Sequence, residues 1–560
     1  MKNDKKVTKK WVCPNDDKPL SDPEEIVNNM YLTRKKEEYS KEDVPEELIE
    51  NVKKIALTIL EDIKKEKKIL LWGDYDVDGT SSVLIWVYTF LYLQYKGFGI
   101  HIPTRKDGYG LSIEGLERFA TKYDTVITMD NGITARAEAE WCRKRNIKLI
   151  VTDHHSFTEE TRTTAPYILN PMDYPPNYYS NLCGSSISHF ISLQLTQKAD
   201  INQATAFLAS MGIIGDVVPL KGYNRFVFNL GRSAIFNLNI PSFMALRKKL
   251  KLSSKTELCA DDYAFSINPL INACGRMESM KRAVDFFCSQ KNEAPTLLKG
   301  ILTLNLERKV LEKEQTELAM QTLEIREAAS RKKESGKLPN CILLAHREFH
   351  PGMMGLIAGK IAIETRKPVM LYRGYKSPVH GYIFEGSGRS FHGVPLLTTL
   401  QGISQHFLKL GGHEKAFGFC FKEKAQPLIE NYLSVKTKFM AAEDPVITYD
   451  ASLSLGALNL SLAHKLRKHE PFGEGFPQPI YRIFGEIYDI EVSTTKNGDH
   501  TFIHILNDKN EICKVNFYFQ NLLDDFEKKQ KVEALISIST SIFIHQERLS
   551  LKGIDIRACD

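Results

Sequence analysis

Three aspartates, Asp74, Asp76 and Asp78, stand at every second position of LLWGDYDVDGTSS, directly after an apolar run. Alternate positions of an extended chain share one face, so as a strand this stretch would crowd three negative charges within a few ångströms. Three more segments bring similar groups: Asp130 in TMDNGI, Asp153, His154 and His155 in VTDHH, and Asp216 in GIIGDVVPL. We expect all of them at strand ends or in the loops that follow, converging at one edge of a sheet. So many like charges repel unless cations neutralise them. Carboxylate oxygens with one or two imidazoles suit Mn²⁺ or Mg²⁺ better than the thiolate-rich surroundings of structural zinc. Two such ions about 3.5–4 Å apart hydrolyse phosphate esters by activating water and orienting the phosphoryl group. Any single aspartate here would serve equally well as a helix cap or turn residue. The metal reading rests on DYDVDG and DHH together, each at the end of an apolar run.

The elements that must position these groups follow from the pattern around them. Between about Asn51 and Leu220, helical segments alternate with the short β-rich runs KILLW, YDTVITMD, IKLIVTD and APYILNP. That alternation predicts an α/β domain with a largely parallel sheet, whose ligands gather beyond the carboxyl ends of the strands. The longest apolar run, from about Val83 to Tyr95 within SSVLIWVYTFLYLQYKG, is too short to cross a membrane and reads as a buried helix. From about Leu297 to Lys333 the spacing predicts one long connecting helix, ended by the turn-rich ESGKLPN. A second α/β unit runs from CILLAH to GGHEKAFGFCF, and after about Pro445 the chain reads as short strands separated by turns, a small β-barrel or sandwich. The first 50 residues are polar and proline-punctuated, and we expect them to wrap the core or stay partly loose.

A chain of 560 residues with 42% hydrophobic content can bury several cores. The N-terminus is charged and lacks the apolar core of a signal peptide, which predicts a soluble, cytoplasmic protein with no membrane association. Ten scattered cysteines, none paired at metal-ligand spacing, read as reduced thiols rather than disulfides or zinc ligands. The net charge is only +6, but residues 221–420 carry 30 Lys/Arg against 17 Asp/Glu, whereas residues 481–560 carry 10 against 13. An anionic partner therefore finds its field in the middle of the chain.

In order and spacing, GDYDVDGTSS, TMDNGI, VTDHH and GDVVPL resemble the four motifs of the DHH phosphoesterase family. The blocks IPTRKDGYGL, INACGRM, LNLERK, HPGMMGLIAGKI, GSGRS, GGHEKAFGF and EPFGEGFPQP extend the resemblance, over about residues 50–560, to the bacterial RecJ branch. It implies a DHH domain at 51–290 behind an N-terminal segment of 1–50. A connecting helix at 291–335, a DHH-associated α/β domain at 336–445 and an oligonucleotide-binding β-barrel at 446–560 would follow. The activity implied is 5′-to-3′ hydrolysis of single-stranded DNA to nucleoside 5′-monophosphates in recombination and repair. The alternative within the family is a phosphodiesterase for short oligonucleotides or cyclic dinucleotides.

The resemblance also assigns roles. Asp76, Asp78, Asp130, His154 and Asp216 match ligands of two Mn²⁺ or Mg²⁺ ions, with Asp74 as an additional ligand and Asp153 as the carboxylate that orients an imidazole. His155 would contact the scissile phosphate. Arg105, Ser387 and Arg389 match positions that hold the nucleic-acid end, His413 should contact substrate near the site, and Arg276, with Asn272, fits a block assigned to substrate or to domain architecture. A single-strand-binding protein and a helicase are the partners implied, with the chain itself a monomer. Two departures stand out: Lys360 lies near a usual arginine, and Phe417 replaces a small residue, which would narrow the passage beside His413. The aromatics Tyr488, Phe502, Phe517 and Phe519 of the last unit read as core, so that this unit guides DNA locally while the central cleft supplies the attraction.

Overall fold

The computed structural model describes the chain except residues 1–8, 15–17, 34–43, 106, 176–177, 197, 251, 253–254, 332–339, 378–380, 392–393, 439–445, 496–497, 508, 544–545 and 560. The break expected at 334–340 falls, but for Asn340, outside the described residues.

The first unit is built on five parallel strands in the spatial order Phe98–His101, Ile69–Trp72, Thr125–Met129, Lys148–Thr152 and Tyr167–Leu169. Ile69–Trp72 and Thr125–Met129 are buried along their whole length. Their side chains alternate between two cores: Ile69, Leu71, Ile127 and Met129 face one, and Leu70, Trp72 and Val126 face the other. A strand buried on both sides must read as a continuous apolar run, which is why KILLW and TVITM stood out. Phe98–His101 was not foreseen: it is a half-buried edge strand led by glycines. The chain order reverses between Ile69–Trp72 and Thr125–Met129, and in such sheets the crevice beyond that point receives ligands.

Helices α1 (Val77–Tyr92), α2 (Gly184–Leu195), α3 (Ala199–Gly215) and α4 (Gly222–Gly231) pack together behind the sheet. α1 is buried nearly all round, with Val83, Leu84, Ile85, Trp86 and Phe90 inside. Helix α5 (Asn268–Met277) leads to α6 (Ala294–Arg331), a single helix of 38 residues. Its start places Ala294, Leu298 and Ile301 in the first core, and farther along Ala319 and Leu323 join the core of the second unit. The helix Glu46–Lys64 already contributes Leu48 to the first core.

The second unit has the strand order Phe407–His413, Ala416–Lys422, Gly381–Arg389, Val369–Ser377 and Ile342–Ala345, antiparallel except for the last pair. Helix α7 (Met354–Thr365) covers one face and Gln426–Lys436 the other. In the C-terminal unit, Tyr481–Thr495, Gly498–Leu506, Ile512–Phe517, Gln546–Ala558 and Lys531–Phe543 close into a five-stranded barrel. Three of these strands run 13–15 residues, and the helix Leu460–Arg467 precedes them, so the expectation of short strands and turns is corrected. The N-terminal segment is divided: its earlier described part docks on this unit, where Lys10–Val12 pairs with Val446–Thr448, Pro19–Leu20 pairs with Ala451–Leu453, and Ile26 and Met30 enter the barrel's core, whereas Val44 and Leu48 belong to the first core.

Of the four aromatics expected in the core, only Phe517 is fully buried. Tyr488 and Phe519 are exposed, and Phe502 lies half-buried under Lys514. Among the described residues no helix is long and apolar enough to cross a membrane. Among the described residues no cysteine is joined in a disulfide, and five of the ten are buried.

Candidate metal centre

The strand Ile69–Trp72 ends before the aspartates begin, so Asp74, Asp76 and Asp78 do not share a strand face. Asp74 lies in the loop, Asp76 caps α1, and Asp78 sits in its first turn. The crowding is real but arises from a tight strand-to-helix turn. Asp76 Oδ1 accepts from the Asp78 and Gly79 amides at 2.9 and 3.0 Å. Asp78 in turn accepts from Gly184 N (2.7 Å) and Ser185 N (3.0 Å), amides that open α2 and point at the anion. This approach needs glycines: a Cβ on Gly212 would lie 2.1 Å from Asp78 Oδ1, and one on Gly184 would lie 2.6 Å from Asp130 Cβ.

Asp130 follows the next strand in a left-handed conformation, φ +64°. Its carboxylate oxygen lies 3.0 Å from His154 Nε2, which is also 3.7 Å from Asp216 Oδ2. Asp216 stands at the C-terminal end of α3, not at a strand end, which corrects the sequence reading. Asp153 uses its oxygens on the amides of Ile133 (2.9 Å), His154 (2.8 Å) and His155 (3.2 Å), and on His155 Nδ1 at 2.7 Å. It fixes the ring of His155, as an orienting carboxylate does. Across the cleft, His413 ends the strand Phe407–His413 and stacks on His155, with ring centroids 5.3 Å apart. Possible ligand groups therefore cluster as Asp74, Asp76 and Asp130; Asp78, His154 and Asp216; and the three imidazoles.

The electrostatics are those of a site built for cations. Burial, with Asp78, Asp76 and Asp74 adding to it, holds Asp130 well above the ordinary carboxylate range. Burial and Asp76 raise Asp74 and Asp78 in the same way, and burial with Asp78 and Asp76 pushes Asp216 up to about 8. Burial and the charge of His155 bring His154 down to about 3. For His155, burial opposes the charge, but the contact with Asp153 outweighs it and raises the imidazole to about 9. Burial likewise opposes the charge of Asp153, which its histidine partners hold down at about 2. Asp74 Oδ1 is sealed from solvent without a hydrogen bond, and Asp130 Oδ1, equally sealed, makes none beyond its 3.0 Å approach to His154 Nε2. Orphaned carboxylate oxygens in an acidic cluster fit hard divalent cations held by oxygen.

Next to the acidic cluster lies a cationic one. Arg105 packs 4.5 Å over the Tyr75 ring and donates to Gly275 O at 3.3 Å. Arg276 reaches Gly352 O (2.9 Å), and Arg389 donates to Ser387 Oγ (3.1 Å) and Gly388 O (2.8 Å). Burial and the neighbouring Arg105 pull Arg276 down to about 9 and Arg389 to about 10. α6 sets the Gly352 loop: Gln315 donates to Glu348 O and accepts from His350 N. Lys360 pairs with Glu312, tying α7 to α6 rather than joining this cluster. Phe417 is buried over Gly388 in the second unit's core, so it does not narrow the passage beside His413.

Sequence reasoning missed Tyr109, whose hydroxyl donates to Asp130 O (2.9 Å) and lies 3.2 Å from His155 Nδ1. It also missed the α2 amides that hold Asp78. The signals were present, in the GYG of IPTRKDGYGL and in the GSS that opens a helix.

Residues 68–213 match the DHH family, N-terminal domain, and residues 449–555 match the RecJ OB domain. The single-stranded-DNA-specific exonuclease RecJ of Escherichia coli is 28% identical over 78% of this chain and 78% of its own. RecJ of Bacillus subtilis is 26% identical over 84% of this chain and 58% of its own. The crystal structure of Thermus thermophilus RecJ in complex with Mn²⁺ superposes with a TM-score of 0.79 at 22% identity, covering 99% of this chain and 80% of that one. A second crystal structure, of exonuclease RecJ bound to manganese, gives 0.56 at 26% identity over 70% of this chain and 96% of its own. Residues 68–213 of the chain therefore carry the N-terminal domain of the DHH family, and residues 449–555 carry a RecJ OB domain.

Proposed function

We propose that this chain is a divalent-metal-dependent exonuclease that degrades single-stranded DNA from the 5′ end, releasing nucleoside 5′-monophosphates, and that it serves recombination and repair. The observation that carries the reading is the juxtaposition of two clusters of opposite sign, the acidic one partly sealed and the cationic one half-buried. Asp74, Asp76, Asp78, Asp130, His154 and Asp216 would hold two Mn²⁺ or Mg²⁺ ions, and Arg105, Arg276, Arg389 and Ser387 would hold a terminal phosphate. Bound ions supply the Lewis acidity that polarises a phosphodiester and lowers the pKa of water. The rest is the work of side chains. His155, its ring oriented by Asp153, presents a donor to the scissile phosphate. Half-buried arginines, crowded by one another, supply forked donors for the end phosphate, which fixes the bond that meets the metal centre.

The cleft walls approach closely. His413 stacks on His155, and a Cβ on Gly108 would lie 3.4 Å from Lys409 Nζ. A cleft this narrow would exclude a duplex. The domain bounds we propose are those of the motif order, 51–290, 291–335, 336–445 and 446–560. A helicase that unwinds the substrate and a protein that holds it single-stranded are the partners such an activity calls for, with the chain acting as a cytoplasmic monomer.

The test is a 3′-labelled single strand and its blunt duplex incubated with Mn²⁺, with Asp130→Ala alongside. Progressive shortening of the single strand alone, lost in the variant, is expected. Cleavage confined to short oligonucleotides would move the assignment to the small-substrate phosphodiesterases, and binding without cleavage would make the chain a scaffold.

A further inference from the structure

The carboxylates of Asp78 and Asp153 are each anchored by backbone amides of their own unit, whereas Asp216 caps the end of α3, its N–H donating to Gly212 O at 2.8 Å, and the chain leaves the helix directly after it. That chain is Val217–Lys221, beginning with Val217 at φ +57° and 62% exposed. From within, Asn224 Nδ2 donates to Pro219 O at 3.0 Å. From outside, the segment meets a turn of the C-terminal unit, the GEGF of EPFGEGFPQP. Leu220 N donates to Glu474 O at 2.8 Å. A Cβ on Gly473 would lie 2.6 Å from Leu220 Cδ1, and one on Gly475, at φ +71°, would lie 2.9 Å from Pro219 Cβ.

α4 and its cap clamp the same turn. Arg225 donates from Nη1 to Pro471 O (2.8 Å) and from Nη2 to His469 O (2.7 Å), with its guanidinium 4.7 Å over Phe476. Arg232 pairs with Glu470 at 3.0 Å. Arg225 is 3% exposed, so this fork is sealed between the units, and lysine cannot replace a bidentate contact of this kind.

We infer that the turn Pro471–Phe476, clamped by Arg225, is a positioning element for Asp216, so that the C-terminal unit sets the metal affinity of a centre built wholly in another domain. The inference rests on the metal-centre reading above. Arg225 is a positioning residue: it touches neither metal nor substrate and acts through Leu220 and Pro219.

The experiment is calorimetric titration of the full, metal-free chain with Mn²⁺, in the parent, Arg225→Met and Gly475→Ala. Both variants should bind Mn²⁺ about tenfold more weakly, the scale of loss seen when groups that orient ligands are removed. Their turnover should return toward the parent's at saturating Mn²⁺, a rise in the metal requirement with kcat held. Unchanged Mn²⁺ affinity with only a lower melting temperature would overturn the inference and leave the clamp a structural joint. Gly475→Ala presses on Pro219 without touching the arginine fork, so it decides the matter if Arg225→Met fails to fold. A parent that takes up no Mn²⁺ would bring down the metal-centre reading itself, and this inference with it.

Discussion

Asp153 shows how much of this site is made by residues that need never touch a metal. Its two oxygens accept from three amides and one imidazole, and the ring they hold is His155. An amide in its place keeps the shape but loses the charge and one set of acceptors. Asp153→Asn should therefore cost about 10–100-fold in activity, with secondary structure intact by circular dichroism. The site also makes the metal-free chain sensitive to pH. Asp216, raised to about 8, and His155, raised to about 9, hold protons that the unfolded chain releases at about 3.9 and about 6.5. Between pH 7 and 9 the folded state thus binds more protons than the unfolded one, and its stability falls as pH rises. The lowered His154 opposes this only below about pH 6.5. The melting temperature of metal-free protein should drop from pH 7 to pH 9. Mn²⁺, by replacing the proton on Asp216, should raise it more at pH 9 than at pH 7.

The proposed metal ligands come from the ends of strands and helices, so their geometry is only as good as the packing behind them. α3 passes so close to the first turn of α1 that Gly212 faces Asp78 Oδ1 with no room for a methyl group. Gly212→Ala should destabilise the fold by about 1–3 kcal/mol and weaken Mn²⁺ binding as well, whereas an ordinary core strain would spare the metal. Thermal unfolding with and without Mn²⁺ separates the two. At this scale the sequence was legible wherever the signal was local. KILLW and TVITM are buried on both faces, and their aspartates stand next to them in the chain. Asp216 was placed on the wrong kind of element because GIIGDVV carries the same apolar run in a fully buried helix as in a buried strand. The pairing of Lys10–Val12 with Val446–Thr448 leaves no local trace at all, since neither partner is patterned for the other. The exposure of Tyr488 and Phe519 was equally hidden, because alternation marks two faces of a strand without saying which one water sees.

Over the whole molecule, charge and aromatic surface are divided between units. The arginine cluster joins the first unit to the second, while the C-terminal barrel has an acidic balance and exposes Phe484, Tyr488 and Phe519. Stacking on such rings is worth about 1–3 kcal/mol per base and tolerates any sequence. Tyr488→Ala should therefore weaken binding of long single strands in a filter or anisotropy assay while leaving the cleavage of the shortest substrates unchanged. An equal loss on both would place the barrel outside the strand's path. The central claim is that the acidic cluster holds two cations beside a phosphate-holding arginine cluster. It is tested most directly by anomalous scattering at the manganese edge from crystals grown with Mn²⁺. Two peaks about 3.5–4 Å apart, ringed by Asp76, Asp78, Asp130, His154 and Asp216, are the predicted result. No peak there, or a single ion bound away from these side chains, would contradict it.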